Sequence, residues 1–449
     1  MKLNARGVLL AAGLCGSLFC RPVSAAEKIY LAPDDHTDYL WKLDEAGYED
    51  AFVTMLDYYL DQIDATAGLP AGQQARWNCD GSFWVRAYEK RRGSAGVERL
   101  MARVRDGHIT VPLNTLVSTY GGQPTEAVLR GMYYAGSLER RFGVRFPLAL
   151  AMENQTLPLG LGSLFAGAGA RYSWRGICAC ASKVPTAGTR DREIYRWTGL
   201  DGTGVILKWN SVFTSGSQHL GGYAEARDPA AMVDFLSSDA RYRARWPYAV
   251  HGAFGKGWDD LKTLTDEFVT VAQAKTDATR QVIVSNEVDF FTDFEATYGA
   301  ALPSESLAYG NEWELYLASL AETSATVKRA IERLRTAEAL ATIVSLENPG
   351  FMDPFVAARD EAWERLGLFH DHDWTADGPI SKAAYTTYQK QNAATVASYA
   401  NSLHNAALTS LGGLVPTSAG TTRFVVFNPL SWSRTDAVDL PIAPGGPVH

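Results

Sequence analysis

The sequence predicts an α/β fold, a parallel sheet with helices packed outside it, followed by a three-helix bundle and the opening strands of a β domain. Three observations predict it. From about Glu27 to Leu302, short apolar runs alternate with longer amphipathic stretches, and strands that alternate with helices are joined most simply as a parallel sheet. From Asn311 to about Leu411, the apolar spacing lengthens into three helical segments, 312–346, 354–366 and 381–408, enough for a bundle. After Pro416 the chain turns to strand-like patterns at 421–430 and 437–440.

Taken in order, residues 1–26 read as a signal peptide. Lys2 and Arg6 precede an apolar run from Gly7 to Phe19, and Pro22-Val23-Ser24-Ala25-Ala26 supplies small residues for cleavage. This predicts a secreted or periplasmic protein. The apolar run is shorter than the roughly 20 residues of a permanent span, and no later stretch reaches that length, so no membrane span is expected. Residues 27–310 are assigned to the α/β domain, with strands at 29–32, 146–152 and 281–284 and helices at 97–104 and 125–142. Residues 311–411 are assigned to the bundle. Residues 412–449 read as the start of a truncated β domain, because two strands alone are marginal in water.

At 449 residues, 46% hydrophobic and 20% charged, the chain has the composition of a folded protein with room for two or three domains. A net charge of -8 without a cluster of Lys and Arg argues against nucleic acid as a partner. The 12 Trp and 20 Tyr supply flat rings that stack on sugars or pack ordinary cores. Beyond the leader the cysteines are Cys79, Cys178 and Cys180; an odd number leaves at least one thiol unpaired, and a C-x-C pair is a weak zinc signal by itself.

Polar clusters sit where predicted strands stop, the position at which parallel α/β folds carry their chemistry. Strand 29–32 runs into Pro33-Asp34-Asp35-His36-Thr37-Asp38, and segment 146–152 into Glu153-Asn154-Gln155-Thr156. Alternate side chains of an extended segment share one side, so His36 and Asp38 face one point, and both residue types are good zinc ligands. The link between the second and third bundle helices holds Phe369-His370-Asp371-His372-Asp373-Trp374. A His-rich link suits either a second source of ligands or a solvated loop. Asp80 and Arg130 suit a pocket lining, or a turn and a surface salt bridge, equally well.

Taken together and in this order, the motifs resemble glycoside hydrolase family 38, the retaining α-mannosidases. His36-Thr37-Asp38 resembles the family's H-x-D after its first strand. Asp371-His372-Asp373-Trp374-Thr375-Ala376-Asp377-Gly378 resembles its H-H-D-x-x-x-G, and Trp313-Glu314-Leu315-Tyr316 its G-E-L-Y, with Trp in place of Gly. Val426-Phe427-Asn428-Pro429-Leu430-Ser431-Trp432 is similar to the opening strand of its first β domain. The resemblance implies a seven-stranded barrel-like sheet ahead of the bundle, a zinc cofactor, and a carbohydrate substrate of the α-mannoside type.

It also implies His36, Asp38, Glu153 and His372 as metal ligands, with Glu153 as nucleophile where the family carries Asp. Read without the resemblance, Glu153 serves equally to hold its loop by hydrogen bonds, and a register that put Asn154 there would leave no nucleophile. The implied general acid is Asp259, with Asp260 beside it, in Phe254-Gly255-Lys256-Gly257-Trp258-Asp259-Asp260; turn aspartates next to glycines explain that pair as well. Two further readings stay open. One is a noncatalytic or degenerate glycan-binding homologue, and the other a zinc-dependent polysaccharide deacetylase, since related barrels also use His and Asp ligands.

Overall fold

The computed structural model describes residues 26–153, 156–176, 192–210, 220–258, 261–310, 317–374, 378–416 and 423–440. The chain enters through β1 (Glu27–Ala32), whose last four residues are fully buried, as suits a strand covered on both faces. A two-residue β2 (Asp35–His36) and the helix α1 (Glu45–Thr66) follow. Asp44 caps α1 by accepting from the Gly47 N–H at 2.9 Å, and Tyr48, Phe52, Leu56, Tyr59 and Ile63 return every three or four residues along its buried stripe.

Next come β3 (Trp77–Asn78), α2 (Phe83–Arg105), β4 (Ile109–Thr110), α3 (Thr125–Arg130), α4 (Tyr133–Phe142) and α5 (Leu161–Ala168). The single helix expected over 125–142 is two, broken at Gly131-Met132, where glycine gives weak helical backing and the Gly131 carbonyl accepts from Thr115 Oγ1 at 2.8 Å. The region continues through β5 (Tyr172–Trp174), β6 (Ile194–Thr198), β7 (Gly204–Lys208), α6 (Pro229–Ser238) and α7 (Ala240–Arg245). It closes with β8 (Val250–Phe254), β9 (Gly257–Trp258), α8 (Glu267–Lys275), β10 (Arg280–Val284), α9 (Glu287–Tyr298) and β11 (Ser304–Glu305).

β1 is the middle of a parallel sheet ordered β10-β1-β8. Leu31 lies opposite Val284 and Ala32 opposite Phe254, so the three strands end at one rim. A second sheet, β11-β6-β7-β5, is mixed, and β2-β9 and β3-β4 are short parallel ladders. Among the described residues no closed barrel forms, which corrects the seven-stranded parallel sheet expected from the sequence. One cause is the short 199–203 connection, which cannot make a parallel crossover, so β6 and β7 pair antiparallel. Segment 146–152 forms no strand of its own either; it carries Pro147, which has no N–H to give, and is held beside β5 by the Leu148–Tyr172 bridge and the Ala149 and Ala151 N–H groups.

One apolar core lies between α1, α2, α4 and α5 and is centred on Trp77 and Trp84; a second lies around the β10-β1-β8 sheet under α6, α8 and α9. A third core belongs to the bundle of α10 (Ala321–Glu347), α11 (Val356–Phe369) and α12 (Lys382–Gly413). α12 buries Tyr385, Gln389, Asn392, Val396, Tyr399 and Leu403, an alternation of fours and threes that makes a coiled-coil seam. The first bundle helix was expected from residue 312 but starts at Ala321; residues 313–316 of the G-E-L-Y-like motif lie outside the described residues.

Residues 423–440 form no strand, in contrast to the β pattern read from the sequence. Phe424, Val425, Val426 and Trp432 stay exposed while Phe427 rests on the bundle core; among the described residues no strand pairs with this segment. Cys79 is buried and forms no disulfide, and Cys178 and Cys180 lie outside the described residues. No helix among the described residues is long and apolar enough to cross a membrane.

Candidate metal centre

The rim where β1, β8 and β10 end carries the polar residues. Beyond Ala32 the chain continues through Asp34, Asp35, His36 and Thr37, all buried. The two-residue ladder of β2 with β9 fixes this stretch, placing Asp35 opposite Gly257 and His36 opposite Trp258. Asp35 is tied to Thr263, whose Oγ1 donates to its Oδ2 at 2.6 Å. Gly255 makes the tight return between β8 and β9 possible. It sits at φ +81°, and a Cβ there would meet the Tyr223 carbonyl at 2.1 Å, so only glycine fits.

Thr37 keeps the H-x-D segment extended. Its N–H donates to Asp80 Oδ2 at 2.8 Å, and its hydroxyl accepts from Trp84 Nε1 at 3.1 Å. His36 and Asp38 then share one side, as alternation requires: His36 Nε2 lies 3.0 Å from Asp38 Oδ1. The ring of His36 stacks on Tyr223 with centroids 4.2 Å apart. Asp38 keeps about 15% of its side chain exposed, while the histidine rings are fully covered. Access to the cluster therefore runs past Asp38.

His372 arrives from the other end of the chain. The link between α11 and α12 lies against residues 117–119, with Ser118 bridged to Asp371, Thr119 N–H donating to the His370 carbonyl at 2.9 Å and His372 N–H donating to the Val117 carbonyl at 3.0 Å. Trp374, fully buried, packs edge-on against Phe369 and pins the link to the bundle core. His372 Nε2 then reaches Asp38 Oδ1 at 2.8 Å. One donor atom each from His36, Asp38 and His372 lies within 4.8 Å of the others, the separation expected for ligands of one ion with bonds of about 2.0–2.2 Å.

These donors fit a metal. Burial works against charge on both histidines, yet the Asp38 and Asp80 carboxylates around His36, and Asp371 and Asp38 around His372, raise each ring well above the usual histidine range. Burial would raise Asp38 too, but the two rings hold it well below the usual carboxylate range. Neither His36 nitrogen has a hydrogen bond of good geometry, although carboxylate oxygens stand 3.0 and 3.3 Å away. Two buried imidazoles and a carboxylate that converge in this way are donors that a cation would satisfy.

Glu153 does not join that group among the described residues. It is buried, stands at φ +66°, and its N–H donates to the Gly176 carbonyl at 2.7 Å, just past the backbone bonds that tie Ala149 and Ala151 to β5. Trp174 at the end of β5 packs against Phe254 at the end of β8, so this strand end belongs to the same rim. Asp259 and Asp260 lie outside the described residues. Leu40, Glu153 and Leu261 are the non-glycine residues with positive φ among the described residues, so left-handed backbone gathers beside the sequence-predicted positions.

Three further carboxylates belong to the rim, one of them the Asp80 that the sequence left between a pocket lining and a turn. Asp34, Asp80 and Glu287, each at a strand end, are buried together; burial and the nearby charge of Asp80 push Glu287 up to about 8. Next to them the buried Lys208–Glu225 pair is closed by Asn210, whose amide donates at 2.9 Å. The polar residue at each predicted strand end was the available signal. Arg130 is a structural ion pair, 2.6 Å from Glu338 of α10.

The sequence matches no family model and no curated protein. Solved structures give the answer for the fold. The chain shares its fold with an α-mannosidase. That protein, from Enterococcus faecalis V583, superposes with a TM-score of 0.66 at 14% identity, over 86% of this chain and 43% of its own. A protein in glycosyl hydrolase family 38 from Enterococcus faecalis superposes at 0.58, also at 14% identity, over 86% of this chain and 40% of its own. The chain thus spans less than half the length of either.

Proposed function

We propose that the chain is a metal-dependent retaining glycoside hydrolase acting on α-mannosides or related glycans, with zinc as the ion, exported by its N-terminal leader. The carrying observation is the meeting of His36, Asp38 and His372 at the strand-end rim, in a fold shared with an α-mannosidase. Buried imidazole and carboxylate donors with one partly open side suit an ion that also takes sugar hydroxyls. A dication held there supplies Lewis-acid charge that fixes and polarises a substrate oxygen. Glu153 attacks the anomeric carbon in this reading, and Asp259, with Asp260 beside it, protonates the leaving oxygen. Water then releases the sugar with its configuration retained, a route that asks for carboxyl groups about 5 Å apart.

The donor set of His36, Asp38 and His372 also suits a second reading, a metal-dependent polysaccharide deacetylase. Two histidines and one carboxylate with positions left open form the donor set of hydrolases that use water as the nucleophile. Zinc analysis and turnover of aryl α-mannosides and acetylated oligosaccharides separate the readings. The expected result is stoichiometric zinc that is lost in His36→Ala and His372→Ala, and mannoside cleavage abolished by Glu153→Gln. Equal zinc in all three proteins would overturn the centre. Acetate release without glycosidic cleavage would decide for the deacetylase, and metal with neither turnover for a glycan-binding homologue.

A further inference from the structure

We propose that Asp80 and Asp371 are positioning residues of this centre, each placed behind one histidine to decide which ring nitrogen faces the ion. The proposal rests on the metal-centre reading above. Asp80 Oδ2 lies 3.3 Å from His36 Nδ1, and Asp371 Oδ2 lies 3.5 Å from His372 Nδ1. The opposite nitrogens, both Nε2, point to Asp38 Oδ1 at 3.0 and 2.8 Å. Both supporting carboxylates are fully buried, so water does not compete for the ring nitrogens.

An ionised carboxylate accepts and does not donate. Set behind Nδ1, it would draw the ring proton there once an ion takes Nε2, and so orient the ring; at His36 the 3.3 Å approach of Asp80 is a charge contact that such a shift would tighten. Each carboxylate is itself held. Asp80 Oδ2 accepts from the Thr37 N–H at 2.8 Å, and Asp371 Oδ1 accepts from the Asp373 N–H at 3.1 Å, with the Asp371 backbone bridged to Ser118. One support comes from the loop after β3 and the other from the bundle, so two distant parts of the chain solve the same problem in the same way.

Asparagine preserves the shape of either residue but can turn an amide N–H toward Nδ1, which favours the tautomer with its proton on Nε2. The full-length chain, stripped of metal, is titrated with Zn²⁺ against a chromophoric chelator as wild type, Asp80→Asn, Asp371→Asn, His36→Ala and His372→Ala. Each asparagine variant is expected to bind on the order of 10–100-fold more weakly. The Co²⁺-loaded absorption spectrum of each is expected to shift, a readout that a loss of stability alone would not move. Far-UV circular dichroism establishes that a variant is folded, and either variant suffices should the other fail to fold. Wild-type affinity and an unshifted spectrum in a folded asparagine variant would overturn the proposal for that residue. Failure of the wild type to bind Zn²⁺, or binding unchanged by the histidine substitutions, would overturn the metal-centre reading instead.

Discussion

His251 illustrates how burial and a neighbouring charge set a charge state. It is fully buried on β8, its Nδ1 paired with the Tyr242 hydroxyl at 2.9 Å and its Nε2 with Arg243 at 3.0 Å. Burial, with the Arg243 charge behind it, pushes the ring down to about 3, so it is neutral in the native state and free to protonate on unfolding. The unfolded chain then binds more protons below the ordinary histidine range, and this contribution to stability is present above pH 6.5 and lost as the pH falls toward 3. The slope approaches roughly 1.4 kcal/mol per pH unit. In urea melts at pH 7, 5 and 4, His251→Gln should flatten that acid limb; an unchanged limb would show that other groups set it.

Among the elements, the α11–α12 link and residues 117–119 decide whether a centre exists. Thr119→Pro removes the N–H that reaches the His370 carbonyl and stiffens the backbone beside the Ser118 bridge. Lost zinc with unchanged helical circular dichroism is the expected outcome, because the bundle core is packed separately; full zinc occupancy would show that the link is held by other contacts. This docking explains what was legible in the sequence and what was not. Strand β1, the three bundle helices and the His36, Asp38 and His372 donors are marked by local apolar spacing and residue type. The antiparallel turn of β6, the supporting roles of Asp80 and Asp371, and the place of Glu153 outside the donor group depend on long-range packing, which spacing along the chain does not encode. Residues 423–430 form no strand for the same reason: apolar alternation signals a strand only where a second strand meets it.

At the scale of the whole molecule, the contact of Asp38 with His372 joins the bundle to the α/β region. An ion that binds only the native arrangement stabilises it by about 2.7 kcal/mol when free metal exceeds its Kd a hundredfold. Thermal melts with and without a chelator should therefore differ by several degrees for the wild type and coincide for His372→Ala. Coincident wild-type melts would mean that the two regions hold together without the ion. The chain shares the fold of an α-mannosidase, while any chemistry depends on the few side chains at the rim.

The separation of 334 positions between Asp38 and His372 also has a meaning in time. At about 5–20 residues per second, a ribosome makes the first donor pair some tens of seconds before the last ligand exists. During that interval the nascent chain holds two of the three donors, so the meeting of His36, Asp38 and His372 comes as a late event of its biosynthesis.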